Sequence, residues 1–191
     1  MNLKKIKILL IIKSQFGYKK VLYVQNQIKM RCSLYSFTAM NEDKYIEIEK
    51  SDDYRTFMFF SQGRHGNLAK IVSFDEIAEL DNIFNLALGT ILPDGKVDFE
   101  TITNNGDRNK ILTTVAGIVG TFIEYNPGKN VYITGSDNRR TLLYQRAIAY
   151  GYDELIQIFD IYGDISMGYP RTEFEPFEKE RKYRGFLVKR K

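Results

Sequence analysis

The sequence of 191 residues predicts a mixed α/β (α+β) domain in the order four strands, helix, strand, helix and two strands. Three observations lead to this prediction. Aromatic and β-branched runs of strand length fill the first half of the domain. An apolar stripe of helical period lies between residues 111 and 123. A strand–helix–strand passage around this stripe, within an antiparallel meander, indicates one parallel strand pair.

The first four strands are predicted from short apolar runs separated by turn residues. Tyr54 to Phe60 and Leu68 to Phe74 form the arms of a hairpin around Gly63-Arg64-His65-Gly66. Ile83 to Leu88 is the third strand. Val97 to Thr103, in which apolar and polar residues alternate, is the fourth. These strands make up the expected meander.

The clearest predicted element is a helix whose apolar residues recur with a period of 3.6. They are Ile111, Leu112, Val115, Ala116, Ile118, Val119, Phe122 and Ile123. Asn105 or Asp107 is the expected N-cap, and Asn126-Pro127-Gly128 is expected to end the helix. A stripe of this width predicts a helix packed on a sheet.

The second half of the domain alternates between strand and helix. Val131 to Thr134 is predicted as a short buried strand, and Asn138 to Tyr150 as a second helix. Leu155 to Tyr162 and Tyr183 to Val188 are the two closing strands. We therefore expect a single α/β domain over residues 41–191.

Charge divides the chain near residue 40. Residues 1–40 hold eight of the 28 Lys and Arg residues and none of the 24 Asp and Glu residues. The sequence pI of about 9.0 thus comes from this segment. We expect it to be a basic segment that is not part of the native domain, with the biological start at Met30 or Met40. The alternative is a basic arm that binds anionic partners.

The composition excludes several classes of protein. One cysteine, Cys32, and one histidine, His65, rule out an intramolecular disulfide framework and a thiolate–imidazole zinc cluster, so no metal site is expected. No apolar run approaches the roughly 18 residues that a membrane span needs. Nothing indicates export, so we expect a cytoplasmic location and no membrane partner. The sequence specifies no oligomeric state.

The most unusual local pattern is Gly135-Ser136-Asp137-Asn138-Arg139-Arg140-Thr141, where a strand ends in glycine and a helix begins. Backbone N–H groups, a hydroxyl and guanidinium groups at a helix start suit an anion such as phosphate, carboxylate or a nucleotide tail. Ser136, Arg139 and Arg140 are therefore candidate ligand-binding residues. The alternative is that the arginines pair with neighbouring acidic residues or face solvent.

A second candidate site lies before the first helix, in residues 104–110. Gly106 permits a turn that presents N–H groups, and Asp107 and Lys110 lie one helical turn apart. Asn105, Gly106 and Lys110 are the candidate ligand residues here, unless Asp107 only caps the helix and Lys110 faces solvent. Because strand ends that lead into helices meet at one sheet edge, we expect both loops to share one cleft.

Residues from about 44 to the C-terminus resemble a family of small bacterial domains of unknown function. The segments that carry the resemblance are Phe59 to Gly63, Asn85 to Gly89, Asn104 to Asp107, Lys110 to Val115, Gly135-Ser136 with Arg139 to Gln145, and Tyr183 with Phe186 to Lys191. The resemblance implies a start near Met40. It implies no particular activity, since the family has none assigned.

The order of elements also looks like the core of the GNAT acyltransferases. The stretch Asn138…Leu143-Tyr144…Gly151-Tyr152 is similar to their Asn…Leu-Tyr…Gly-Phe helix, with a Tyr144–Gly151 separation longer by about one helical turn. The resemblance implies that Tyr144 protonates a departing coenzyme A thiolate, with Asp107 assisting and acetyl-CoA as cosubstrate. The pyrophosphate loop of that superfamily is absent, and Gly106 alone stands in its place.

The sequence supports three hypotheses about function. The favoured one is a cytoplasmic module that binds an anionic or nucleotide-like ligand at the two strand-to-helix turns. The second is an N-acyltransferase that uses an acyl-CoA, with Tyr144 and Asp107 as catalytic residues. The third is a toxin-like or nucleic-acid-acting protein, based on the basic N-terminal segment and the tail Lys189-Arg190-Lys191. The sequence does not decide whether the protein is an enzyme.

Overall fold

The computed structural model describes residues 9–13, 19–23, 43–169 and 173–191. Its strands are β1 (Leu9–Lys13), β2 (Lys19–Tyr23), β3 (Glu49–Lys50), β4 (Thr56–Gly63), β5 (Gly66–Glu76), β6 (Ile83–Ile91), β7 (Val97–Asp98), β8 (Asn130–Ile133), β9 (Phe159–Asp164), β10 (Phe174–Pro176) and β11 (Phe186–Arg190). Its helices are α1 (Arg108–Tyr125), α2 (Asn138–Tyr150) and α3 (Tyr152–Leu155).

Nine strands form one mixed sheet in the order β10-β9-β11-β8-β6-β5-β4-β3, with β7 paired to β6. β1 and β2 pair with each other in a separate antiparallel hairpin. Apart from the backbone of these two strands, the expectation about residues 1–40 lies outside the described residues. In the described part of the chain, no helix is both long and apolar enough to cross a bilayer.

The predicted mixed α/β class is confirmed, and so is its parallel strand pair. Among the described strands, β6 and β8 run parallel, and α1 is the crossover between them. Their pairing extends from Ile83–Asn130 to Leu86–Ile133. Beyond Leu86, β6 continues to Ile91, and its last two residues pair with β7 instead. The pairing of the two central strands therefore stops at Leu86, because β8 ends at Ile133.

The core lies between the sheet and the predicted apolar stripe of α1. Phe122 is fully buried and stacks on Phe74, with the ring centroids 4.0 Å apart, and it also contacts the ring of Phe84. Burial of aromatic side chains of this size is a major source of folding free energy. α2 adds Ile148 to the same core. Both long helices thus cover one face of the sheet.

Two predicted strands are wrong over part of their length. Val97 to Thr103 is a strand only at Val97–Asp98, because the Asp98 carboxylate accepts hydrogen bonds from the backbone N–H groups of Glu100 and Thr101 and turns the chain. Residues 155–158 are not strand either. The Leu155 N–H donates to the carbonyl of Gly151 at 2.9 Å, which makes Leu155 the end of α3.

The remaining differences concern the ends of elements and very short strands. The last strand begins at Phe186, three residues later than Tyr183, whose ring lies against Gly163 where a Cβ would collide with it. β3 and β10 have two and three residues, too few to show alternation in the sequence. The bounds of α2 agree with the prediction, and α1 ends at Tyr125, just before the Asn-Pro-Gly signal.

Candidate functional site

An apolar cavity of about 80 Å³ lies between the two long helices and the sheet. β6 and β8 form its floor, α1 and α2 form its sides, and α3 contributes Leu155. Among its described lining residues, Tyr144 alone carries a polar group. Water gains little in such a space, because it needs two or more hydrogen-bond partners. The cavity is therefore suited to an apolar group.

The cavity is closed at one end and open at the other. The residues at the closed end are each less than a tenth exposed: Leu86, Val119, Ile148 and Leu155. The residues at the other end are partly exposed: Leu88, Leu112, Ile133 and Tyr144. In α1 the partly exposed Leu112 precedes the buried Val119, and in α2 the partly exposed Tyr144 precedes the buried Ile148. The open end therefore faces the N-terminal half of α1 and of α2.

Two features of the chain leave this space unfilled. β8 ends at the Leu86–Ile133 pair, so β6 continues past Leu88 at the open end without β8 beside it. Ala116 of α1 and Ala147 of α2 also line the cavity, and their methyl groups extend only a short way into it. A larger residue at either position would occupy the space, since interiors are otherwise packed to crystal-like density.

Tyr144, the predicted proton donor, lies at the open end of the cavity. Burial raises the pKa of its hydroxyl, with a smaller opposing effect from the positive charge of Arg140. No hydrogen bond joins this hydroxyl to another residue of the described chain. The phenol is therefore protonated at neutral pH and has a donor available for a bound molecule.

The start of α2 is capped by Asp137, but Arg140 is held by the protein itself. The Asp137 carboxylate accepts from the Arg140 N–H at 2.8 Å. The Arg140 guanidinium donates to the backbone carbonyls of Phe99 and Glu100. Ser136 and the candidate Arg139 are exposed. Arg140 thus fixes the segment that follows β7. Two backbone carbonyl oxygens accept the hydrogen bonds that the sequence analysis assigned to a bound anion.

At the start of α1, the candidate Asn105 holds the β4–β5 hairpin. Its buried side-chain amide donates to the Ser61 hydroxyl at 2.9 Å and to the Gly66 carbonyl at 3.1 Å, and it accepts from the His65 N–H at 2.8 Å. Gly63 is required here, because a Cβ would collide with the Asn105 carbonyl. The Asn105 amide therefore has a structural role in this geometry.

Of the neighbouring candidates, Asp107 and Lys110 also contact other parts of the chain, whereas Gly106 is exposed. Gly106 has φ of +96°, the left-handed conformation that favours glycine. Asp107 occupies the N-cap position of α1 but makes no capping bond, and instead it accepts from the Tyr45 hydroxyl at 2.6 Å. Lys110 pairs with Asp43 at 2.9 Å. In the described part of the chain, no three His, Cys, Asp or Glu side chains are placed to hold a metal ion.

Sequence reasoning missed Lys70, a buried lysine on the helix-facing side of β5. It is 6% exposed, and its ammonium donates to the hydroxyls of Thr90 at 2.8 Å and Thr103 at 2.9 Å. Burial lowers its pKa from the ordinary value. The signal in the sequence was a lysine at an inward position of an alternating strand, where an apolar residue is expected.

Lys70 also relates the two predicted loops to each other. The negative charge of Asp107 raises the pKa of Lys70, and the positive charge of Arg140 lowers it, although burial is the largest influence. Both helix starts therefore lie within electrostatic reach of the same ammonium. Tyr144 lines the apolar cavity and feels the charge of Arg140, whereas Asn105 and Asp107 contact the hairpin side.

Together, the sheet, its two covering helices and the cavity beneath them define a small mixed α/β domain with a small apolar cavity. A family model matches residues 41–191, and the chain belongs to that family, a family of unknown function (DUF6934). The expected resemblance to a family without assigned activity is thereby confirmed. No curated protein and no solved structure matches the chain.

Proposed function

We propose that the protein binds a small molecule that has a short aliphatic part and an anionic group. The observation that carries this proposal is the apolar cavity, which is closed beside Leu155 and open beside Tyr144. Side chains that line a void lack contacts on one side, and an apolar group that fills the void supplies them. A concave apolar site with few polar groups is typical of ligand pockets.

The charges beside the open end favour an anion on the ligand. Arg140 lies one helical turn before Tyr144, and its positive charge affects the pKa of that hydroxyl more than the negative charge of Asp137 does. A carboxylate at this point would accept hydrogen bonds from the guanidinium and from the phenol. It would compete for Arg140 with the carbonyls of Phe99 and Glu100. The proposal thus keeps the anionic ligand that the sequence analysis favoured and adds that this ligand has an apolar part.

Three four-carbon probes test this proposal: butyrate, 1-butanol and butylamine. The chains are matched, so differences between them report the charge of the head group. We expect butyrate to shift the methyl NMR signals of the cavity residues and to raise the Tm most, and butylamine least. A ligand at about 100 times its Kd adds about 2.7 kcal/mol of stability.

Cavity-filling variants locate the site. Ala147→Leu and Ala116→Leu each place three further carbon atoms in the cavity, and we expect both to abolish butyrate binding. The control is Ala78→Leu, because Ala78 is exposed and lies outside the cavity. Unchanged butyrate binding in both filled variants would show that the cavity is not the site.

A second candidate function is acyl transfer from a thioester to an amine, favoured by the position of Tyr144. In that reaction the amine nitrogen attacks the thioester carbonyl, the carbon–sulfur bond breaks and the thiolate takes a proton. Tyr144 would donate this proton and regain one from solvent as the amine loses its own. Its raised pKa keeps the donor protonated. The element order, from the meander through α1, β8, α2, α3, β9 and β10 to β11, supports this candidate through the GNAT-like order that the sequence suggested.

The residues at the start of α1 fit a coenzyme A less well than the cavity fits an acyl group. Gly106 offers a left-handed turn, but the Asn105 side chain is used by the hairpin. Incubation with acetyl-CoA and a mixture of amines tests the reaction by release of free thiol. We expect Tyr144→Phe to reduce that release at least tenfold. If the wild-type protein releases thiol no faster than a reaction without protein, this second function is excluded.

The nucleic-acid hypothesis and the cytoplasmic location stay predictions. At the C-terminus, the Lys189 ammonium lies 5.1 Å from the centre of the Tyr162 ring, a contact within the protein. Arg190 and Lys191 of the same tail are exposed, and the other basic residues of that hypothesis lie in the N-terminal segment. Binding of RNA or DNA that falls steeply with salt in the full chain, but not in residues 41–191, would assign it to that segment.

A further inference from the structure

We infer that Leu155 sets the length of the aliphatic chain that the cavity accepts, and that the ligands are short-chain aliphatic carboxylates. This inference rests on the proposed function and deepens it. It begins with the position of Leu155, which is 8% exposed and lines the closed end of the cavity together with Ile148. A ligand that enters at the Tyr144 end meets these residues last.

Leu155 lies in a short helix, whereas the other residues at the closed end lie in longer elements. Leu86 and Val119 belong to a nine-residue strand and an 18-residue helix that form the core. Leu155 ends the four-residue helix α3, which follows α2 directly and is held by the Gly151 carbonyl. Its side chain therefore closes the cavity at the turn from α2 to β9. A change of side chain there alters the depth of the cavity and leaves its walls in place.

The volume of the cavity predicts the length of the chain. An apolar protein cavity of about 150 Å³ holds benzene, with its six carbon atoms. By proportion, 80 Å³ holds about three carbon atoms. With the carboxylate outside, beside Tyr144 and Arg140, a three-carbon tail corresponds to butyrate. Each methylene that is buried in the cavity is expected to lower the Kd about fourfold.

The experiment measures the Kd of straight-chain carboxylates from acetate to octanoate by methyl NMR titration of the full chain. For the wild-type protein, we expect the Kd to fall about fourfold per carbon from acetate to butyrate. Longer chains should bind no tighter, because additional carbons have no space. Leu155→Ala removes Cγ and both Cδ atoms, so the tightest-binding chain should become about three carbons longer.

Two further variants make the outcome decisive. Leu187→Ala is the matched control, since Leu187 is 2% exposed but does not line the cavity, and it should keep the wild-type optimum. Leu155→Val removes a single carbon, serves if Leu155→Ala does not fold, and should lengthen the optimum by about one carbon. An optimum that lengthens in the Leu155 variants and stays in Leu187→Ala supports the inference.

The failures of the two proposals are distinguishable. If butyrate binds to the wild-type protein and the Leu155 variants keep the same optimum, Leu155 does not set the chain length and only this inference is overturned. If no carboxylate binds to the wild-type protein, or if binding survives in Ala147→Leu and Ala116→Leu, the proposed function fails and this inference fails with it.

Discussion

The starts of α1 and α2 have similar sequence signals but different surroundings. Before α1, the Asn105 amide is fully engaged with the β4–β5 hairpin and Asp107 accepts from Tyr45. After the start of α2, Tyr144 lies beside an apolar cavity without a hydrogen bond to a described residue. A glycine turn before a helix is therefore not by itself a ligand site. What distinguishes the two regions is the apolar cavity, which Tyr144 lines and which Asn105, Asp107 and Lys110 do not.

Asn105→Ala should give the largest effect and tests the structural side of this comparison. The change leaves the buried Ser61 hydroxyl, the Gly66 carbonyl and the His65 N–H without their partner. We expect the free energy of unfolding to fall by about 3 kcal/mol, because buried polar groups that lose their partners are costly. Urea denaturation measures this change.

The matched control for that variant is Asn109→Ala, since Asn109 is an exposed residue of the first turn of α1. It should change stability by no more than about 0.5 kcal/mol. An Asn105→Ala protein as stable as the control, with weakened butyrate binding, would reverse the roles assigned to the two regions.

A pair of tyrosine variants compares the two regions directly. The Tyr45 hydroxyl donates to Asp107 at 2.6 Å and accepts from the Gln62 N–H at 2.7 Å, so Tyr45→Phe should destabilise the fold by about 2 kcal/mol. Tyr144→Phe removes a hydroxyl without such partners and should change stability by less than about 0.5 kcal/mol. Thermal unfolding of both variants gives the comparison. Equal losses would mean that the Tyr144 hydroxyl is also structurally engaged.

Variants of the adjacent residues Arg139 and Arg140 distinguish the effect of a structural contact from that of an exposed charge. Arg140→Ala removes the bonds to the Phe99 and Glu100 carbonyls and should lower stability by about 1 kcal/mol. It should also speed amide hydrogen exchange in residues 99–103. Arg139 is exposed, and Arg139→Ala should leave both properties unchanged. Similar exchange rates in the two variants would refute the role of Arg140 in holding this segment.

Local patterns predicted the elements of this fold, and long-range packing determined the candidate site. α1 was predicted because its stripe of period 3.6 is a local property of the sequence. The strand expected after Val97 was interrupted by the Asp98 carboxylate, an effect that apolar–polar alternation does not register.

The cavity was beyond sequence reasoning for a different reason. It depends on Ala116 and Ala147, which lie on different helices and face the same space only after folding. Leu155 was expected in a strand, so its place at the closed end of the cavity was not foreseen either. The predicted Tyr144 is the exception, because its spacing from Arg140 on one helix places both near the open end.

Lys70 lies within electrostatic reach of both helix starts, and its replacement gives the smallest and most pH-dependent effect. At neutral pH the folded protein holds a buried ammonium whose pKa is lowered by burial. Lys70→Met places an apolar chain of similar length there. We expect it to change the free energy of unfolding by less than about 1 kcal/mol at about pH 7, because removal of the buried charge offsets the hydrogen bonds that the Thr90 and Thr103 hydroxyls lose.

The sign of the pH dependence follows from the lowered pKa. Between that pKa and the ordinary value of 10.5, the unfolded chain binds a proton at Lys70 that the folded protein has lost. The free energy of unfolding of the wild-type protein therefore rises with pH because of Lys70. The Lys70→Met protein does not show this rise. The free energy of unfolding of the variant, relative to that of the wild-type protein, should therefore fall between about pH 7 and about pH 10, as measured by urea denaturation. Lys96→Met, at an exposed lysine paired with Asp94, should show no such trend. A stability difference for Lys70→Met that stays constant across this range would mean that burial does not disfavour the Lys70 charge.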